Sequence, residues 1–215
     1  VLLDAYDGMI KFLRYYYADP AAVSIVADTY GDHLWRGYRW VGNENDRKKV
    51  DAHKKLILGT ASLYECVVVV QRIAILFEKK QDADWLQSVK DRIRAGFTNF
   101  YSGIGQTSGD GDEPNDKKFG NDIEDTMAVY CGLASDASKE QLVAGIVRGM
   151  QKRDHALING IHTMSRQLDL LADYNYADEA YMALDREQDS GLRNLLSKSP
   201  DSIPESFHSG GLDSF

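Results

Sequence analysis

Apolar residues recur every three or four positions along most of this 215-residue chain. That spacing places them on one face of an α-helix, whereas the strict alternation of a half-buried strand extends over no more than four residues here. We therefore predict an all-α protein, more than half helical and without a sheet of three or more strands, built of antiparallel helix pairs. The predicted helices span residues 2–17, 51–79, 82–101, 121–134, 138–152, 161–174, 177–187 and 192–197.

The second predicted helix, over residues 51–79, is apolar on much of its circumference. It contains Val67 to Val70, a run that in isolation suggests a strand, but the apolar residues around it keep the helical period. A helix that is apolar all round is usually buried, so we predict a core position for it. The two cysteines, Cys66 and Cys131, lie in apolar helical stretches, and we expect both to be buried free thiols.

The segment from Ser102 to Phe119 contains several glycines, a proline and a cluster of acidic residues. This composition predicts an irregular surface loop. The acids invite a calcium interpretation, but Pro114 and Asn115 stand where an EF-hand needs a ligand and a turn glycine. The histidines are too scattered for a zinc site. We therefore predict that the loop binds no metal and that the protein uses no cofactor.

The sequence patterns at the starts of two predicted helices, near residues 121 and 138, are typical of helix caps. Asn121 to Asp125 loosely resembles the aspartate-rich metal motif of all-α terpene cyclases. A capped helix start explains it more simply, because acids are stabilised at the positive end of the helix dipole. Ser138 followed by Gln141 predicts the cap of the next helix.

The charge balance restricts the partners of the protein. Its 33 acidic and 25 basic residues give a net charge of −8, which disfavours phosphate backbones and anionic lipid headgroups. No uninterrupted apolar run approaches the 20 residues that a bilayer requires. We predict no nucleic acid and no membrane as a partner, and a neutral substrate fits the charge better.

The segment from Tyr30 to Trp40 concentrates aromatic and charged residues between glycines. Aromatic faces such as those of Trp35 and Trp40 stack on sugar C–H surfaces, and a carboxylate such as that of Asp32 accepts hydrogen bonds from hydroxyl groups. These residues, with His33, therefore form a candidate carbohydrate subsite. The alternative, an aspartate that caps a helix and tryptophans that fill the core, is equally compatible with the composition.

The segment from Ser202 to Gly211 places Glu205 between a proline and aromatic residues, just before a diglycine. Glu205 is a candidate catalytic base, and His208 is a candidate neighbour of it in a substrate site. Ser202 and Glu205 also have the spacing of a capping box, in which each side chain bonds a backbone N–H at a helix start. Local sequence favours the cap, and further residues along the chain favour the base.

Those residues resemble, in their order, the blocks of bacterial α-L-rhamnosidases of glycoside hydrolase family 78. The resemblance extends over most of the chain. The blocks are Gly31-Asp32 ahead of Trp35, Thr60 to Tyr64, Ile93 to Phe97, Asp125 to Leu133, Asp154 to Ile161, and Ala180-Tyr181 with Leu184.

The resemblance implies a fold and a reaction. The catalytic domain of that family is an (α/α)6 toroid, and residues 1–215 would be one incomplete domain that lacks the N-terminal helices. The family hydrolyses terminal α-L-rhamnosides with inversion, using two carboxylic acids. Glu205 falls at the position of the general base, and the general acid would lie in an upstream block before Val1. The implied partners are a rhamnose-containing oligosaccharide or glycoside and additional domains of the same parent chain.

At two positions where the family has tryptophan, this chain has His33 and Pro204. The sugar specificity therefore remains open at this point. One alternative is a catalytically degenerate all-α domain that binds carbohydrate or has a structural role. Another is a different (α/α)6 glycosidase or a lyase.

Overall fold

The computed structural model describes residues 2–17, 44–105, 121–188 and 191–198. These residues form helices and their connections, and none of them is in a strand. The helices together contain more than half of the chain, which confirms the predicted helical content. They are α1 (Leu2–Tyr17), α2 (Glu44–Leu76), α3 (Lys80–Gly105), α4 (Asn121–Tyr130), α5 (Asp136–Lys152), α6 (Ile161–Asp173), α7 (Ala177–Asp185) and α8 (Leu192–Lys198).

Several predicted boundaries are wrong. α2 begins at Glu44, seven residues before its predicted start, and no proline or glycine interrupts this extension. α3 continues to Gly105, so Ser102 to Gly105 are helical although we predicted a loop there. A glycine costs a helix only about 1 kcal/mol relative to alanine, and two of them do not end a long helix. The remainder of the predicted loop, residues 106–120, lies outside the described part of the chain.

The predicted cap of α5 is wrong as well. The helix begins at Asp136, and Ser135 occupies the N-cap position without a side-chain capping bond. Ser138 lies inside the first turn, where its hydroxyl donates to the Ser135 carbonyl at 2.9 Å. The serine and glutamine spacing was therefore not a capping box in this helix.

The first compact unit contains α1, α2 from Asp51 onward, and α3. Asp82, in the first turn of α3, accepts hydrogen bonds from the Tyr6 hydroxyl at 2.8 Å and from Arg14 at 3.0 Å, both on α1. Desolvation and the Asp82 carboxylate raise the pKa of Tyr6. Gln71 on α2 donates to the Ala83 carbonyl at 3.1 Å, which joins α2 to α3. Polar side chains thus fix the three helices around an apolar core.

One side of α2 is buried and the other is not, so the predicted core position is only half right. The thiol of Cys66 lies on an exposed face, and Cys131 in the second unit is partly buried, so our prediction of two buried thiols is wrong. Neither of these two cysteines forms a disulfide bond, as predicted. Val69 and Leu76 are also exposed on α2. The apolar surface of α2 is thus larger than the area that the rest of the protein covers.

The part of α2 from Lys54 to Leu76 is long and apolar enough to cross a membrane by length and composition, with a mean hydropathy of 1.5. Counting only uninterrupted apolar runs did not reveal this. Half of its most apolar window is buried inside the protein. A core helix has the same composition, so this observation alone is weak evidence for a membrane span.

The second compact unit contains α4 to α8. α4 packs against α5 and α6, and α6, α7 and α8 pack in succession. The apolar residues of these helices form one core, which includes Val129, Val143, Ile146, Val147, Met150, Leu157, Leu170, Leu171, Ala180 and Ala183. This core positions a group of polar side chains at the start of α4 and in the connection between α5 and α6.

Candidate functional site

The residues that the sequence nominates for chemistry lie outside the described part of the chain. They are the candidate base Glu205 and the candidate sugar-binding residues Asp32, His33, Trp35, Trp40 and His208. The acidic stretch Asp110–Asp116 also lies outside it. These assignments therefore remain predictions. The polar groups that the structure does describe are concentrated in the second unit.

A buried ion pair joins α4 to the end of α5. Arg153, the C-cap residue of α5, donates from Nη2 to the carboxylate of Asp122 in the first turn of α4. Asp122 is 5% exposed and Arg153 is 7% exposed. Glu124, in the same turn of α4, is buried too. The predicted acidic helix start is confirmed, but the sequence did not indicate that Asp122 would be buried against an arginine.

Gly149 makes room for this ion pair. A Cβ atom at this position of α5 would stand 2.9 Å from Asp122 Oδ1 and 3.2 Å from Arg153 Nη1. One turn earlier, a Cβ on Gly145 would have its nearest neighbour, Asp125 Oδ2, at 3.8 Å, which is an ordinary contact. The two glycines of one helix therefore differ in what a methyl group would meet.

We expect Gly149→Ala to lower the free energy of unfolding by about 1–3 kcal/mol, because the methyl group would displace a buried ion pair. Gly145→Ala is the matched control and should raise it by about 0.5–1 kcal/mol, because alanine is the better helix former. Urea denaturation followed by circular dichroism measures both. Equal effects of the two substitutions would show that Gly149 has no role in accommodating the pair.

The connection after Arg153 reverses the chain through two residues with left-handed backbones. Asp154 has φ 52° and His155 has φ 58°, which is uncommon for residues other than glycine. The amide of His155 donates to the Met150 carbonyl at 2.8 Å. Nε2 of His155 lies within hydrogen-bonding distance of the Glu179 carboxylate on α7. The turn is therefore held both by the end of α5 and by α7.

Past this turn, two buried amide side chains face each other. Asn159 donates from Nδ2 to Gln167 Oε1 at 2.7 Å. Within the described residues, Asn159 Oδ1 and Gln167 Nε2 have no further protein partner, and neither has the buried hydroxyl of Thr126 on α4. Buried polar atoms are almost always hydrogen-bonded, so these three atoms are exceptions within the described part of the chain. Thr126 and Asn159 fall within the sequence blocks that carry the family resemblance, but no sequence signal indicated that they or Gln167 would be buried polar groups.

Metal chemistry finds no support in the described ranges. Among the residues that the structure describes, no group of three or more histidine, cysteine, aspartate or glutamate side chains could hold an ion. Asp122, one of the acids of α4, is paired with Arg153.

Residues 1–211 match the family described as the bacterial α-L-rhamnosidase six-hairpin glycosidase domain. The chain belongs to this family. The resemblance found in the sequence is thereby confirmed. No curated protein matches the chain in sequence.

Three solved structures to which this rhamnosidase domain is similar are themselves α-L-rhamnosidases. The enzyme from Streptomyces avermitilis, in complex with L-rhamnose, has a TM-score of 0.69 and 23% identity, over 99% of this chain and 18% of its own. The enzyme from Dictyoglumus thermophilum has a TM-score of 0.69 and 18% identity, over 96% of this chain and 22% of its own. The enzyme from Aspergillus terreus has a TM-score of 0.57 and 16% identity, over 72% of this chain and 17% of its own.

At these identities the likeness concerns the fold alone. Six helical hairpins are the architecture of an (α/α)6 toroid, so the family and the helices confirm the predicted all-α fold class, part of such a toroid. The chain spans about a fifth of the length of the first two solved rhamnosidases. The rhamnosidase domain is therefore a glycoside hydrolase domain by family, and the activity of the whole protein is a separate question.

Proposed function

We propose that the protein carrying this chain hydrolyses terminal α-L-rhamnosides with inversion of configuration. The observation that carries the proposal is the family match, which extends to residue 211 and so includes the segment with Glu205. The structural neighbours support a rhamnose-containing glycoside as the substrate class, because they are α-L-rhamnosidases and one was solved with L-rhamnose.

In the proposed mechanism, Glu205 is the general base. In an inverting glycosidase the two carboxyl groups stand roughly 6.5–9.5 Å apart, which leaves room for a water molecule on the face opposite the leaving group. Glu205 removes a proton from that water as its oxygen attacks the anomeric carbon. The carboxylate must be ionised for this role, and a neighbouring donor such as His208 would stabilise it.

We further propose that the remaining parts of the site are divided between two regions. Asp32, His33, Trp35 and Trp40 would bind the sugar, the tryptophans by stacking and the polar residues by hydrogen bonds to hydroxyl groups. The general acid, which protonates the departing oxygen, would lie in a part of the enzyme outside this chain. Residues 1–215 would then be one incomplete (α/α)6 catalytic domain, completed by other segments of the parent protein.

The stereochemistry of the first product tests the proposal. We expect the intact enzyme to release β-L-rhamnose first from an aryl α-L-rhamnoside, because a single displacement by water inverts the anomeric carbon. Proton NMR during the first minutes distinguishes the two anomers before mutarotation mixes them. Initial release of α-L-rhamnose would contradict the inverting mechanism, and no release from any rhamnoside would contradict the proposed activity.

A further inference from the structure

The outer face of α7 carries an open cleft of about 330 Å³ within the second unit. Its lining includes Asp154 and His155 from the turn after α5, and Tyr181, Asp185 and Arg186 from α7 and the residue after it. Tyr181 is 66% exposed, and the neighbouring Met182 is exposed as well. A volume at the lower end of the range for ligand pockets suits a ligand of one or two sugar rings. None of these residues belongs to the candidate catalytic set.

The walls of the cleft are fixed by contacts on both sides. Arg186 donates from Nη1 to the backbone carbonyl and to the carboxylate of Asp154, which ties the segment after α7 to the left-handed turn. Glu179 holds His155 and also accepts a hydrogen bond from Gln151 at 2.7 Å. Behind Arg186, a Cβ on Gly191 would overlap the Arg186 carbonyl, so a glycine is required for this close approach. The contacts that fix the cleft are therefore all within the protein and require no bound ligand.

The chemistry of the lining selects among ligand classes. The carboxylates of Asp154 and Asp185 are part of the lining and repel anions, while the guanidinium of Arg186 is engaged by Asp154. A metal cation would compete with Arg186 for Asp154 and with Arg193 for Asp185. What fits is a neutral ligand with an apolar face for the Tyr181 ring and hydroxyl groups for the carboxylates.

We propose that this cleft on α7 binds a neutral pyranoside unit of a saccharide, as a site additional to the catalytic one. The chemistry of the cleft carries this inference by itself, and only the choice of a rhamnoside as probe rests on the proposed function. Such a site would retain a branched or extended glycan on the enzyme while its terminal residue is hydrolysed.

The test uses the methyl group of Met182 as a local reporter in the intact enzyme. With ¹³C-methyl methionine labelling and the Met182 signal assigned by Met182→Leu, methyl α-L-rhamnopyranoside should shift that signal saturably, with a Kd on the order of millimolar. Tyr181→Ala should weaken this Kd by about tenfold or more, because the stacking surface is lost. Tyr15→Ala, which removes a tyrosine that is 83% exposed on α1, is the matched control and should leave the Kd unchanged.

The reporter separates this inference from the catalytic proposal. In a Glu205→Gln enzyme the Met182 shift should persist at the same Kd, whatever happens to turnover. An unchanged Kd in Tyr181→Ala, or no shift at saturating rhamnoside, would overturn the inference. A Met182 shift produced by inorganic phosphate and not by the rhamnoside would assign the cleft to an anion and would overturn it equally.

Discussion

Arg153→Met should lower the free energy of unfolding by about 3–5 kcal/mol, because it leaves the buried Asp122 carboxylate without its cation. Methionine keeps the length of the aliphatic stem, so the loss reports mainly the charge. Urea denaturation followed by circular dichroism should detect the change as a fall of about 1–3 M in the midpoint, for a slope of roughly 2 kcal/mol per molar.

Arg193→Met is the matched control. Arg193 pairs with Asp185 at 3.3 Å and with Glu187 at 3.3 Å, and all three side chains are exposed. Exposed ion pairs contribute about 0–1 kcal/mol, so this substitution should have little effect. The double variant Asp122→Leu with Arg153→Met should recover much of the lost stability, since replacing both partners by apolar residues leaves no buried charge. If Arg153→Met and Arg193→Met cost the same, the buried pair does not stabilise the connection between α4 and α5.

This ion pair illustrates where sequence reasoning stops. The periodicity of apolar residues is a local property, and it predicted the eight helices with most boundaries within a few residues. The acidic start of α4 was also a local signal. Arg153, however, lies 31 residues from Asp122. It stands at the end of a helix, and no motif around it indicated an ion-pair partner. Long-range pairing depends on how helices pack, which a single sequence does not encode in any short motif.

The sequence was equally uninformative about which residues of the apolar helix α2 are exposed. The pattern of α2 was correctly interpreted as helical, yet it did not reveal which of its faces the protein covers. Cys66 is exposed, although most of its neighbours in sequence are apolar. The order of short blocks along the chain was the more informative signal, since it indicated the rhamnosidase family that the match over residues 1–211 confirms.

Glu205→Gln should reduce kcat of the intact enzyme by about 10²–10⁴-fold on its best rhamnoside, because an amide cannot take the proton from the attacking water. The fold should be nearly unaffected, since glutamine has the same shape and fills the N3 position of a capping box acceptably. Initial rates and circular dichroism of the same preparations measure the two effects. Glu140→Gln, at an exposed position of α5, is the matched control and should retain the original kcat.

Azide distinguishes a lost base from a disturbed site. As a small nucleophile it needs no deprotonation, so it should restore turnover of the Glu205→Gln enzyme and yield the β-rhamnosyl azide, the inverted product. A site that is merely distorted would gain nothing from azide, because substrate and acid would still be misplaced. If Glu205→Gln instead keeps the original kcat, Ser202 and Glu205 form only a helix cap, and the base must be sought elsewhere in the rhamnosidase domain.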